Sequence, residues 1–245
     1  MQHLLRRKIT SIIIALLCGQ VAMAQNGMDI NLPEHDNKLY HFGINLGINK
    51  SHFSFSHHPR FLDSFSVDGI SSIESINSTG INLAWLVNLN FNEHWDLRTY
   101  PLNLTFTEKA FEYSLTRFDP FLNEGPITIK KVQSITLSLP VLLKFSSDRI
   151  GNMKVFTTFG GRFDYDLASN ANKKNAEELI KLKATDLSIE GGIGFHIYFP
   201  YFVLSPELRV NWGLNNLHQR NPNLRFSSNV DQIYSRMISF SLTVE

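Results

Sequence analysis

HFGINLGINK, residues 41–50, poses the question that decides the fold. Phe42, Ile44, Leu46 and Ile48 are apolar, while Gly43, Asn45, Gly47 and Asn49 between them are small or carry an amide. A period of two describes a strand with one apolar and one polar face. In a soluble sandwich the apolar face turns inward to a core. In a membrane barrel it turns outward to lipid, and the polar face lines a lumen. Small residues on the polar face suit a crowded lumen, but one strand does not choose between these arrangements.

The rest of the chain does choose. The same alternation recurs over residues 79–91, 95–107, 131–145, 152–165, 184–199, 202–213 and 234–244, which makes eight strands with the opening one. In the second, Ile81, Leu83, Trp85, Val87, Leu89 and Phe91 alternate with Asn82, Ala84, Leu86, Asn88 and Asn90. In the third the parity slips near Pro101, which predicts a bulge; Leu102, Leu104 and Phe106 then share the apolar face with Trp95 and Leu97. Ile193 in the sixth strand and Phe240 in the eighth belong to the same outward set. Each segment is long enough to cross a bilayer, which takes roughly 9–11 residues, against about 5–6 in an ordinary soluble strand.

Connections point the same way. NEH, SSDRIG and PY join strands two to three, four to five and six to seven, and the intervening links are long. Alternating short and long links describe a barrel with tight periplasmic turns and long outside loops, whereas a Greek-key sandwich has no reason to alternate. By parity, Arg98, Lys144, Lys154, Arg162, Asp164, Asp186, Glu190, Glu207 and Arg209 all fall on the small, polar face, and only Arg236 falls on the other, near the outer end of the last strand. A lipid-facing Arg at the midplane costs about 2–4 kcal/mol, which accounts for the exclusion. The sequence thus predicts an all-β fold, an eight-stranded antiparallel up-and-down transmembrane β-barrel with short periplasmic turns and long extracellular loops. Phe42, Ile44, Leu83, Trp85, Leu104, Ile193 and Phe240 are its membrane-facing residues.

Bulk properties agree. The chain has 245 residues, a net charge of +1, only 18% charged residues and 19 Phe. Near-neutral charge gives no sign of a nucleic-acid partner. Mean hydropathy is −0.11, too low for a bundle of membrane helices. Arg6, Arg7 and Lys8 precede a short apolar run and the A-x-A site Ala22-Met23-Ala24, so residues 1–24 read as a signal peptide. Residues 25–39 then form a periplasmic N-terminal segment and residues 40–245 the barrel, a multi-pass protein of the bacterial outer membrane. The one cysteine, Cys18, lies within the signal segment; bulky Leu17 before it argues against acylation. The mature chain therefore has no disulfide, thiol nucleophile or cysteine-ligated metal.

An eight-stranded barrel has an interior just wide enough to be filled by side chains. Arg98, Arg162, Glu190, Glu207 and Arg209 are expected to pair there as a structural charge network, with a proton or ion path as the sharper but less favoured alternative. Other signals are weak. Gly191-Gly192-Ile193-Gly194 lacks the helix a phosphate loop needs. His57-His58 has no further metal ligands at a recognisable spacing. NKKNAEELIKLK, residues 172–183, has i, i+4 Lys–Glu pairs that suit a short exposed helix. Leu179 and Leu182 could dock that helix on the rim or on a partner, with its own barrel as the default. Phe61 and Leu62, with Phe53, Phe55, Phe65 and Ile70, make loop 1 apolar. That loop is expected to pack over the mouth, with a partner site as the alternative. No catalytic, cofactor-binding or metal-binding residues are expected, and no small-molecule substrate.

STGINLAWLVNLNFNEHWDLRTYPLNLTFTEKAFEY, residues 78–113, resembles the PorT (SprT) family of the Bacteroidetes, as do HFGINLGINKSHFSF near the start and ISFSLTVE at the end. The resemblance runs from about Tyr40 to Glu245 and is most specific in DLRTYPLNLTF. It implies a non-enzymatic outer-membrane barrel required for protein export by the type IX secretion system, and for gliding in some species. Its implied partners are other components of that system, besides outer-membrane lipid and lipopolysaccharide. The family supplies no catalytic residues. A lipid-modifying enzyme and a surface adhesin are the alternative readings.

Overall fold

The structure is a computed structural model describing residues 30–58, 69–116, 125–168, 182–219, 227 and 229–245. The strands are β1 (Tyr40–His57), β2 (Ile70–Ile76), β3 (Ser78–Asn90), β4 (Trp95–Leu115), β5 (Ile127–Ser146), β6 (Met153–Asp166), β7 (Thr185–Tyr198), β8 (Val203–Gly213) and β9 (Val230–Val244). A 3-10 turn, His35–Asn37, precedes them. Neighbouring strands pair antiparallel in the order β3-β1-β9-β8-β7-β6-β5, and β4 pairs with both β3 and β5, so the sheet closes on itself. The ring has eight members because β2 does not add a ninth; it continues the line of β3 along the upper part of β4. Closure leaves the eight-membered ring without an edge, which is what lets a sheet span hydrocarbon.

Facing follows the alternation. Along β1, Phe42, Ile44, Leu46 and Ile48 are exposed, and His41, Asn45 and Asn49 between them are buried. Leu83, Trp85, Ile193 and Phe240 are likewise exposed on the outer surface; Leu104 is half-buried between its neighbours. The bulge lies where the parity slips, with the β4–β5 register shifting between Thr99 and Asn103. Tyr100 therefore turns inward, and both Pro101 and Leu102 face out. Inside, Tyr100 joins Ala84, Leu86 and Leu142 in a small apolar cluster.

Four strands run further than the alternation marks. β1 extends to His57, β4 to Leu115, β5 starts at Ile127 and β9 at Val230, while β2, an additional strand, occupies part of what reads as loop 1. The reason is an inversion along a single strand. Within the membrane the inward residues of β4 are polar: Asn103, Thr105 and Lys109. Above it, the same face carries Phe111, Tyr113 and Leu115. Once the outer surface meets water instead of lipid, the apolar face must turn in. Phe53, Ile70, Ile73, Phe111, Tyr113, Leu115, Leu182, Leu217, Val230 and Ile233 pack as one buried cluster over the outer mouth, with Phe55 against it. The apolar part of loop 1 that is described does cover the mouth.

Of the two docking surfaces open to Leu182, its own barrel rim and a partner, it takes the first and not the second: it is buried in this cluster and bridged to His218. Its methyls are shielded by its own barrel, which removes the driving force for a partner contact there. Phe61, Leu62 and Leu179, the 172–181 part of the expected helix, and the signal peptide with Cys18 lie outside the described residues.

Candidate functional site

The interior is a ladder of charges held by five strands, β4 to β8, and by Glu245 just past β9. At mid-barrel Arg98 (β4), Glu190 (β7), Glu207 and Arg209 (both β8) are buried, Arg98 at 0% exposure and Glu190 at 1%. Glu190 accepts from two guanidinium groups, Arg162 Nη1 and Arg209 Nη1, each at 3.0 Å. Arg162 donates through Nε to Asp164 at 2.7 Å and through Nη2 to Ser138 at 2.7 Å. Glu207 stands 3.7 Å from Arg98 and 3.8 Å from Arg209, and accepts from Thr158 at 2.9 Å and Tyr100 at 3.2 Å. Arg98 continues the ladder down to Glu245 at 3.1 Å, beside the pair Lys144–Asp96 at 2.8 Å. Aromatic faces fill the gaps: Arg209 lies over Tyr100 at 4.7 Å and Arg98 over Phe156 at 4.8 Å.

Taking these charges out of water is costly unless each finds partners, so the ladder is tolerable only as a set. Two glycines make room for it. A Cβ on Gly192 would stand 2.8 Å from Arg209 Cγ and 2.7 Å from Thr158 Oγ1, and one on Gly194 would stand 2.4 Å from the Phe156 ring. The Gly191–Gly194 run is therefore a packing device, consistent with the strand continuing through it.

The rim carrying the short turns and the last residue of the chain is closed by the N-terminal segment. Asn31 N–H donates to Asn152 Oδ1 at 2.9 Å and its Nδ2 to Tyr198 O at 3.0 Å. Tyr198 OH donates to Asp36 at 2.6 Å, and Arg149 lies over the Tyr198 ring at 3.6 Å while donating to the Asn31 carbonyl. Burial alone would raise the Asp36 carboxyl; hydrogen bonds from His35 and Tyr198 and the charges of Lys154 and Arg149 overcome it and hold the carboxyl well below the usual carboxylate range. His35 stacks on His41 with ring centroids 4.1 Å apart.

All five sequence-derived charges, Arg98, Arg162, Glu190, Glu207 and Arg209, meet in one network. Tyr100, Asn45 and Thr158 also enter it and are not on that list. The parity slip at Pro101 was the one signal for Tyr100. The docking of Asp36 and His35 had none, because their segment has no periodicity.

A family model described as "Outer membrane protein beta-barrel domain" matches residues 23–219, well over half of the chain. No curated protein matches it. Solved structures similar to it include the surface protein NspA of Neisseria (11% identity, 84% of this chain and 99% of that one, TM-score 0.39). Others are the outer membrane protein OprG of Pseudomonas aeruginosa (11%, 82% and 95%, TM-score 0.41) and Ail, the attachment invasion locus protein of Yersinia pestis (10%, 83% and 96%, TM-score 0.35). With a closed antiparallel ring, an apolar exterior and a family match over residues 23–219, this chain belongs to the outer membrane protein β-barrel domain family and resides in the bacterial outer membrane.

Proposed function

We propose that this protein is a non-enzymatic accessory of the type IX secretion system, acting as a membrane-embedded support and not as a conduit. The observation that carries this reading is the long similarity of residues 78–113 to the PorT family. In the fold those residues are β3 and most of β4, and they send Arg98 and Tyr100 into the ionic ladder. The most family-like stretch thus builds the interior. A lumen crossed by paired charges and covered at both mouths suits a support and disfavours a diffusion pore. On this reading its partners are other secretion components, met through the loops or turns, within lipid and lipopolysaccharide. Among the described residues, His41 and His196 face the interior, so neither can join a serine and an acid on the lipid-facing surface, as a lipid-modifying enzyme requires.

Deletion of the gene tests the reading. Type IX cargo is expected to disappear from the cell surface and medium, and the purified barrel is expected to give no conductance in a planar bilayer. Normal cargo export in the deletion strain refutes the proposal. A lipid A mass change that depends on the protein would favour an enzyme, and binding of matrix protein lost on loop shaving would favour an adhesin.

A further inference from the structure

The geometry points to a divalent transition-metal site at the periplasmic mouth, formed by His35 of the docked segment, His41 of β1 and the Glu245 carboxylate. One ligating atom from each lies within 4.8 Å of the other two. His35 and His41 are near neighbours in sequence, on a 3-10 turn and at the start of the first strand, and Glu245 joins them from the last position of the sequence. They line a common cavity of about 20 Å³. That is room for about one water-sized occupant. Two imidazoles and one carboxylate form a donor set that suits zinc and its neighbours, where three protein ligands leave a position for water.

The surroundings leave these donors available. Asn90 Nδ2 has two hydrogens and three acceptors within reach, Lys38 O at 2.8 Å, His41 Nε2 at 3.1 Å and Asp36 O at 3.2 Å, so its hold on His41 is dispensable. Arg98 engages only Oε1 of Glu245. Of the two lysines that line the cavity, Lys144 is paired with Asp96 at 2.8 Å, which lowers the repulsion a dication would meet, while Lys154 donates to the Glu93 carbonyl and keeps its charge. Coordination requires the His35 ring to turn out of its stack on His41. His35 sits on a short turn, and its ring is held besides by Asp36, 3.9 Å away, and by the edge of the Tyr198 ring, with centroids 6.0 Å apart, so the rotation exchanges these contacts for the ion. A bound ion would fasten the N-terminal segment to the first strand and the final residue, closing the mouth more firmly.

The test uses the untagged, detergent-folded chain and zinc chloride by calorimetry, with cobalt(II) absorption as a spectroscopic check. One equivalent is expected to bind, and His35→Ala, His41→Ala and Glu245→Gln are each expected to weaken it at least tenfold. A His57→Ala/His58→Ala double variant is expected to bind as the parent does. Should His41→Ala fail to fold on heat-modifiability gels, His35→Ala, which lies outside the barrel wall, decides the matter. Zinc is also expected to slow tryptic cleavage after the exposed Lys38 several-fold in the parent and not in His35→Ala. No stoichiometric binding, binding undiminished by His35→Ala, or binding that leaves cleavage at Lys38 unchanged would each overturn the assignment.

Discussion

Glu190→Gln tests the ionic ladder at its centre. The substitution keeps size and shape and removes one charge from a side chain that is 1% exposed. Two charge-assisted hydrogen bonds at 3.0 Å are altered, from Arg162 and from Arg209. The loss is not shared evenly. Arg162 keeps Asp164 and Ser138, both at 2.7 Å. Arg209 keeps Glu207 only at 3.8 Å, with two long contacts of 3.4 Å to Asn45 and Ser241. Removing one partner of a buried pair costs about 3–5 kcal/mol, because the surviving charge is left uncompensated. At 1.36 kcal/mol per tenfold, this is on the order of a hundredfold or more in the folding constant. Urea unfolding in lipid vesicles, followed by gel mobility of unheated samples, reads it directly. Adding Arg209→Met to Glu190→Gln is expected to recover part of the loss, since the stranded cation is then gone. Stability of Glu190→Gln within about 1 kcal/mol of the parent, or strictly additive effects in the double variant, refutes the argument that this network holds the barrel.

Further expectations concern the outer wall, the lumen and the periplasmic mouth. Leu83→Arg and Ile193→Arg place a cation on the exposed apolar surface. Each is expected to cost about 2–4 kcal/mol near the midplane and to abolish heat-modifiability, whereas Asn92→Arg in a turn assembles normally. Gly194→Val drives a branched side chain into the Phe156 ring, 2.4 Å from where its Cβ would sit. It is expected to block folding, and normal yields of folded barrel would count against the tight packing described. Asp36 has a carboxyl depressed in the folded state. Its contribution to docking is therefore complete above the unfolded value of about 3.9 and is lost as pH falls through the lower, folded value. A spin label attached through Glu34→Cys should stay immobile from pH 7 to about 4 and loosen only in stronger acid; in an Asp36→Asn background it should be mobile throughout. Loosening between pH 7 and 5 would point to a different group.

The sequence by itself determined which way each membrane residue faces. Period two fixes alternate directions for Phe42 and Gly43, and the cost of a charge in hydrocarbon assigns Arg98, Arg162 and Glu190 to the interior without reference to any contact. It also marked the bulge at Pro101, because an extra residue is the only way to restore the pattern. The alternation stopped being informative above the membrane, where Phe111 and Tyr113 in TEKAFEYS take the face that polar Asn103 and Thr105 hold below. There the solvent outside changes from lipid to water, so the same strand needs the opposite pattern.

Only the tertiary structure decided who meets whom. Arg209 reaches Glu190 because β7 and β8 are neighbours in one register, Gly192 opposite Arg209. Arg98 reaches Glu245 across a span of 147 residues because closure brings the chain's end to the start of β4. His35 and Asp36 carry no pattern at all, and their place in the mouth follows from Tyr198 at the end of β7 and Arg149 in the β5–β6 turn being presented there. Periodicity is a property of one strand and can be read along it; pairing depends on the closure and stagger of the whole ring, which no single segment encodes.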